Sequence, residues 1–201
     1  MARIRWVEES SATGPIAEVY ANWMNAHPGR TEIPGILKAL SLRPELLQAI
    51  DQISDQIQFR DGHLSERIKE MIATTVSALN QTSYCTGGHA YFLSLHEPDP
   101  RIPACLSRFD LDAAPLIPAE RALLDFAVLV SRHAYRTTDA DVATLRNHGW
   151  TDPQIAECVY VTALFAFFNR VADAFGIDGA RFRSERSLPT DPGELDSRTV
   201  E

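Results

Sequence analysis

The sequence predicts an all-α protein, and three observations support that prediction. Apolar residues recur three and four positions apart in most segments, which is the spacing of one helix face. Prolines and capping residues stand directly before several of these segments, where helices begin. No stretch alternates apolar and polar residues between hairpin turns, as paired strands would. A chain of 201 residues, 45% of them hydrophobic, is long enough to bury one sizeable core.

Five helices are predicted in the first half of the chain. The first begins at Gly14-Pro15 and stops before Pro28-Gly29, because glycine and proline interrupt a helix there. The most regular one follows Ser65, a good N-cap residue, and carries a continuous apolar stripe. The others are a short helix over residues 36–42 opened by Pro34, a third beginning near Pro44, and a fifth from about Ser83 to Leu95.

The second half has the same character. Pro98, Pro100 and Pro103 predict a linker, and helices are then predicted to open at Pro118, Thr138 and Thr151. The last of these is long and apolar and ends at Gly176. The helix openings 64–67 and 117–121 resemble each other, and we interpret them as an internal, degenerate duplication of helices.

Residues 1–177 are therefore expected to form a single helical domain. Residues 178–201 form a polar C-terminal tail that contains Pro189 and Pro192. We expect the tail to become ordered only through contacts with a partner subunit.

Charge and cysteine content exclude several classes of protein. A net charge of −8 argues against binding to nucleic acid, which requires clustered Lys and Arg. The longest apolar stretch, residues 158–168, is too short to span a membrane. Three widely spaced cysteines do not form the disulfide framework of a secreted protein, so a cytoplasmic location is predicted.

One constellation could carry chemistry. Cys85 and His89 are four residues apart, so a helix places them on one face. Cys85 would lie in the first turn, where the helix dipole and a nearby imidazolium both favour a thiolate, and we expect its pKa to lie below that of a free thiol. Antiparallel packing of the preceding helix could bring Glu70 to His89 as an orienting or proton-relaying carboxylate. Alternatively, Glu70 could be solvated beside Arg67, three residues before it.

The pattern Glu-x11-[Cys/Thr]-x-x-Cys-x-x-x-His resembles the signature of the alkylhydroperoxidase D-like and carboxymuconolactone decarboxylase superfamily. Segments 145–152 and 163–176 are similar to its peroxidase-related branch, and the resemblance covers roughly residues 35–177. The resemblance implies an alkylhydroperoxidase D-like helical fold and catalytic roles for Cys85, His89 and Glu70. It also implies a homo-oligomer, either a trimer or a dimer-based hexamer.

The chain departs from this signature at its first cysteine, where Thr82 stands. A Thr-x-x-Cys pair cannot form an intramolecular disulfide, so an external thiol or a distant cysteine would have to resolve an oxidised Cys85. Thr82 could bind substrate through its hydroxyl, or simply cap the helix. Tyr84, which matches a tyrosine often found at this place in the family, could bind substrate, or pack and hold a structural hydrogen bond.

Three functions follow as expectations. The first is a peroxidase-related, antioxidant oxidoreductase that reduces hydroperoxides through Cys85 and is regenerated by an external thiol reductant. The second is a cofactor-free decarboxylase of small lactone acids, in which Glu70 and His89 transfer protons and Cys85 is a bystander. The third is a helical oligomer without catalytic activity. No cofactor is predicted, and the histidines show no metal-ligand spacing. Asn169 and Arg170 interrupt an apolar segment and predict a buried polar network or a subunit contact.

Overall fold

The structure is a computed structural model, and it describes residues 2–178. Within that range the chain forms nine α-helices and no β-strand, which confirms the all-α prediction. The predicted tail lies almost entirely outside the described residues. The helices are α1 (Pro15–Ala26), α2 (Gly35–Lys38), α3 (Pro44–Ser54), α4 (Glu66–Leu79), α5 (Ser83–His96), α6 (Arg101–Ser107), α7 (Pro118–His133), α8 (Asp139–Asn147) and α9 (Asp152–Phe175).

Side-chain caps fix where two of the helices begin, α4 and α8. The Ser65 hydroxyl accepts a hydrogen bond from the backbone N–H of Ile68 at the start of α4. Thr138 and Asp141 form the predicted capping box of α8. The end of α9 is equally local, because Gly176 adopts the left-handed conformation that terminates a helix (φ 67°).

The predicted linker around the three prolines is wrong in part, since residues 101–107 form α6. Pro103 is the third residue of this helix. The backbone N–H groups of a helix's first turn have no intrahelical acceptor, so proline costs little there. The helix predicted over 36–42 is also shorter than expected, because α2 ends at Lys38.

A π-helical turn, Asp55–Phe59, extends α3. It is fixed at its far end by Lys69 of α4, whose buried ammonium donates a 2.8 Å hydrogen bond to the carbonyl of Arg60. Within this turn Gln58 is buried, whereas Gln56 and Phe59 are exposed. The turn therefore directs one amide side chain into the protein interior.

The helix α4 lies at the centre of the fold and packs against α5, α6, α7 and α9. Its apolar residues and those of the surrounding helices form the main core. A second cluster of buried residues joins α1, α2 and α3 around Trp23 and Leu47. The fully buried members of the main core include Met71, Ile72, Ala73, Val76, Leu93, Leu106, Leu123, Ala127, Cys158 and Val161.

A buried ion cluster connects three of these helices. Arg67 of α4 binds Glu97, which follows α5, and also binds Glu120 in the first turn of α7. Both carboxylates are largely buried, while Arg67 is partly exposed. Arg67 and Glu120 belong to the two helix openings that resemble each other in sequence; the internal duplication itself stays a prediction.

By length and composition alone, α9 could cross a membrane. Core helices of soluble proteins satisfy the same criterion. The packing of α9 against α4, α5 and α7 is that of a core helix, which favours a soluble protein.

Candidate active site

The helical hairpin of α4 and α5 positions the candidate site. Gln81 adopts a left-handed conformation (φ 59°) between the helices, and the backbone N–H of Thr82 donates to the carbonyl of Ser77. In an antiparallel helix pair, a residue on α4 faces the residue on α5 that is about equally far along the chain from the connection. The hairpin therefore puts His89 opposite Glu70, two turns from the connection.

The side chains of Glu70 and His89 meet there. His89 Nδ1 lies 2.7 Å from Oε2 of Glu70, and the carboxylate is 1% exposed. When the carboxylate is ionised and the imidazole is neutral, this contact places the proton on Nδ1 and leaves Nε2 as an acceptor. The ring of Phe165 packs edge-on against the imidazole, with centroids 4.5 Å apart, and fixes its plane.

Gln58 is a third member of this group that the sequence analysis missed. Its Nε2 donates a 2.8 Å hydrogen bond to Oε1 of Glu70, so both oxygens of the carboxylate are bonded. Glu70 is therefore not solvated beside Arg67, the alternative that sequence spacing allows, because Arg67 binds Glu97 and Glu120 instead. Gln58 is recognised as part of the site only because the π-helical turn buries it beside Glu70. The sequence carries no signal for such a turn.

Cys85 lies in the first turn of α5, as predicted, but its environment differs from the prediction. The residue is 5% exposed, and burial raises the pKa of its thiol to about 12. A hydrogen bond from Asn169 opposes this shift, whereas the negative charge of Asp173 adds to it. The expectation of a lowered thiol pKa is thus wrong, because α9 covers the residue.

Asn169 of α9 belongs to the predicted buried polar network. Its Nδ2 donates to Oγ of Ser77 at 3.0 Å, and its Oδ1 accepts from Asn80 at 2.8 Å. These bonds bring the end of α4, the start of α5 and α9 together around Cys85. Arg170, the next residue, is exposed and bonds to the carbonyl of Ala166.

Thr82 and Tyr84 both have partners within the chain. The Thr82 hydroxyl donates to Oδ2 of Asp173 at 2.7 Å and is fully buried. The Tyr84 hydroxyl is hydrogen-bonded to the backbone of Gly35 and Ile36, while burial raises its pKa to about 12. These bonds hold α5 against α9 and α2, which agrees with the structural alternative for both residues.

Comparison with known proteins places this site in a family. The model of the carboxymuconolactone decarboxylase family matches residues 44–94, which include α3, α4 and most of α5. The solved structure described as an alkylhydroperoxidase AhpD core, an uncharacterized peroxidase-related protein from Ralstonia eutropha JMP134, has 28% sequence identity to the chain. It superposes with a TM-score of 0.79 over 93% of this chain and 97% of its own. The family-model match and this structural neighbour support the alkylhydroperoxidase D-like and carboxymuconolactone decarboxylase superfamily for the chain.

Two further solved structures are similar to the chain. An uncharacterized peroxidase-related protein from Silicibacter sp. TM1040 has 28% identity and a TM-score of 0.74, over 84% of this chain and 86% of its own. The debrominase Bmp8, solved in complex with 2,3,4-tribromopyrrole, shares the fold at 17% identity and a TM-score of 0.69, over 88% of this chain and 92% of its own. No curated protein sequence matches the chain.

The side chains of Cys85 and His89 have little contact with solvent. Cys85 and the imidazole of His89 are 5% and 15% exposed. Two shallow surface depressions lie elsewhere, one between α1 and α3 and one between the π-helical turn and α9. All three cysteines are buried and free, and no group of three or more His, Cys, Asp or Glu side chains in residues 2–178 is arranged to hold a metal ion.

Proposed function

We propose that the protein reduces hydroperoxides through Cys85, with His89 as its base. The observation that supports this proposal best is the buried hydrogen bond between Glu70 and His89, on the helix face that also carries Cys85. That bond leaves Nε2 of His89 free to take a proton. The peroxidase-related names of two similar structures agree with such a role.

The raised pKa of Cys85 makes a base necessary. A thiol whose pKa is about 12 is almost wholly protonated at neutral pH, so few molecules hold a ready thiolate. In the first step Nε2 of His89 accepts the thiol proton, and the sulfur attacks the terminal oxygen of the hydroperoxide. The O–O bond breaks, the leaving alkoxide takes the proton back from His89, and the products are a sulfenic acid and an alcohol.

A thiol reductant completes the cycle. It attacks the Cys85 sulfenic acid to form a mixed disulfide and water. A second reductant thiol then attacks the mixed disulfide, which frees the Cys85 thiol and leaves the reductant as its disulfide. Thr82 supplies no thiol for this step, and Cys105 and Cys158 are themselves buried. A small external thiol is therefore the proposed partner.

A decarboxylase-like reaction of a small lactone acid is the second candidate. Two observations favour it, the raised pKa of Cys85 and the threonine at position 82. Glu70 and His89 would then transfer the protons, and the thiol would only pack. In the third candidate, a helical oligomer without activity, the same residues would be structural.

We also propose that the chain forms a cytoplasmic homo-oligomer, a trimer or a hexamer. Large apolar side chains remain exposed on several segments of the described chain, and we propose that they pack against neighbouring subunits. Light scattering after size exclusion tests this assembly, and a monomer at micromolar concentration would exclude it. The exposed large apolar residues are Ile4, Leu42, Leu46, Ile53, Phe59, Leu95, Ile117, Tyr135, Tyr160 and Phe167.

Three variants separate the candidate reactions. Hydrogen peroxide and an organic hydroperoxide are supplied with a small thiol, and their consumption is measured for Cys85→Ser, Glu70→Gln and His89→Ala. Thiol chemistry predicts that Cys85→Ser is inactive, because a serine hydroxyl is scarcely ionised at neutral pH. If the protein instead decarboxylates a lactone acid, decarboxylation of that acid should be severely reduced in Glu70→Gln and His89→Ala and only mildly in Cys85→Ser. A Cys85→Ser protein that consumes peroxide at the wild-type rate would exclude the peroxidase proposal.

A further inference from the structure

The amide of Gln58 is hydrogen-bonded to Glu70 on the side of the carboxylate away from His89. Its Nε2 lies 2.8 Å from Oε1 of Glu70, while Oε2 of the same carboxylate faces His89. Gln58 and Glu70 are each 1% exposed, so water does not compete for these bonds. Since the carboxylate only accepts, the amide must turn its N–H group towards it.

This orientation leaves the other end of the amide unsatisfied. Oε1 of Gln58 is buried and has no hydrogen-bond partner in the described part of the chain. An unpaired buried carbonyl destabilises a protein, and an apolar side chain of similar length would not carry that penalty. Packing alone therefore does not explain an amide at this position.

The backbone around Gln58 holds the amide in place. The residue belongs to the π-helical turn that extends α3, and such turns occur often at functional sites. Lys69 fixes the end of the turn through the carbonyl of Arg60 and is itself the neighbour of Glu70 on α4. The donor and the carboxylate are thus positioned by two elements that are bonded to each other.

We propose that Gln58 is a positioning residue for the proton-transfer pair. Its N–H group fixes the plane of the Glu70 carboxylate, so that Oε2 accepts from Nδ1 of His89 and Nε2 of His89 stays the proton acceptor. The inference deepens the proposed function and rests on it. Without Gln58 the carboxylate rotates, and its hydrogen bond to Nδ1 of His89 loses its geometry. A misplaced base slows proton transfer about tenfold to a hundredfold, whereas substrate binding changes little.

The first experiment tests whether Gln58 acts through Glu70. Gln58→Met keeps the length of the side chain but removes the donor, and we expect kcat to fall about tenfold or more with KM nearly unchanged. In a Glu70→Gln background the same substitution should add less than about a twofold loss, because the group that it positions is already altered. Gln56→Met, the same change at an exposed site of the same turn, is the control and should retain wild-type kcat.

A second variant remains informative if Gln58→Met does not fold. Gln58→Glu keeps the shape, but the new carboxyl donates a hydrogen bond only while it is protonated. The ratio of its rate to the wild-type rate should therefore rise as the pH falls. A ratio that is constant with pH would overturn the proposal, as would equal losses from Gln58→Met in the wild-type and Glu70→Gln backgrounds.

A spectroscopic measurement separates this proposal from the proposed function. In proton NMR, the Nδ1–H of a buried histidine bonded to a carboxylate gives a low-field resonance, which His89→Ala would identify by its loss. We expect Gln58→Met to shift or broaden that resonance and Gln56→Met to leave it unchanged. If the wild-type protein consumes no peroxide but the resonance responds in this way, only the peroxidase proposal fails. An unchanged resonance in folded Gln58→Met would refute the positioning role.

Discussion

The hydroxyl of Thr82 donates a 2.7 Å hydrogen bond to Oδ2 of Asp173, which joins the first residues of α5 to the last turn of α9. In the superfamily signature the same position carries a cysteine. In this chain the position carries a hydroxyl that links two helices. That link also holds the carboxylate of Asp173 near Cys85, where its negative charge raises the pKa of the thiol.

Introducing the signature cysteine should change how the protein is reduced after reaction with peroxide. Thr82→Cys places a second thiol one helical turn before Cys85, within reach of a disulfide. We expect peroxide to convert this pair to a disulfide, detected by mass spectrometry as a loss of two hydrogens. Turnover should then depend less on small external thiols. Thr82→Ser keeps a hydroxyl and is the control, and a Thr82→Cys protein that forms no disulfide under peroxide would contradict the expectation.

The alkylation of Cys85 should follow a high pKa. Because burial raises the pKa to about 12, the rate with iodoacetamide should be low at pH 7 and still rise above pH 9. Asp173→Asn removes the nearby negative charge and should increase the rate about two- to threefold at fixed pH. Asp125→Asn, the same change at an exposed site on α7, is the control. A rate profile centred near the pKa of a free thiol would show that the thiol is more accessible than described.

The stability of the fold should decrease in alkali. The pKa values of Cys85 and Cys158 both rise from 9.0 to about 12 on folding, because both thiols are buried. Between these values the unfolded chain has released protons that the folded chain keeps, so the free energy of unfolding falls as the pH rises from about 9 to 12. The loss should be on the order of a few kcal/mol.

Urea denaturation at several pH values measures this loss. Cys158→Ala removes one of the two thiols and should make the decline above pH 9 shallower. Between pH 6 and 8, where both thiols are protonated in either state, variant and wild type should show parallel curves. An equally steep alkaline decline in Cys158→Ala would mean that other groups cause it.

The cluster around Arg67 should contribute much more to stability than surface ion pairs. Arg67→Ala leaves the buried carboxylates of Glu97 and Glu120 without their counter-ion, which should lower the free energy of unfolding by about 2–4 kcal/mol. Arg121→Ala removes a similar double pair whose carboxylates are exposed, and it should cost less than about 1 kcal/mol. Similar losses in the two variants would show that Arg67 gains nothing from burial.

Most of the fold is predictable from the sequence because its signals are local. Proline, a capping hydroxyl or a terminal glycine fixes the ends of α1, α4, α8 and α9 within a few residues of chain. The prolines around α6 misled the prediction, since their effect depends on whether they fall before a helix or inside its first turn. The pair Glu70 and His89 was also predictable, because a short hairpin fixes the register of two adjacent helices.

The rest of the site depends on contacts between distant segments. The pKa of Cys85 is set by α9, which lies more than 60 residues further along the chain and covers the thiol. Position in the first turn of a helix favours a thiolate, but the loss of solvent outweighs that effect. Gln58 was missed for a related reason: if α3 continued as a regular α-helix, the Gln58 side chain would not point towards Glu70.

The π-helical turn makes the site sensitive to chain length in a way that side-chain substitutions do not reveal. A π-helical turn contains about one residue more than an α-helical turn, and each residue of an α-helix turns the chain by about 100°. If one residue were deleted from 55–57, the segment could continue α3 as a regular helix and Gln58 would rotate away from Glu70. A relative that lacked this residue could keep glutamate, cysteine and histidine in register and still lose the donor behind them. The number of residues between α3 and the motif therefore helps to position the candidate site. No residue of α3 forms a hydrogen bond with Cys85 or His89 in the described structure.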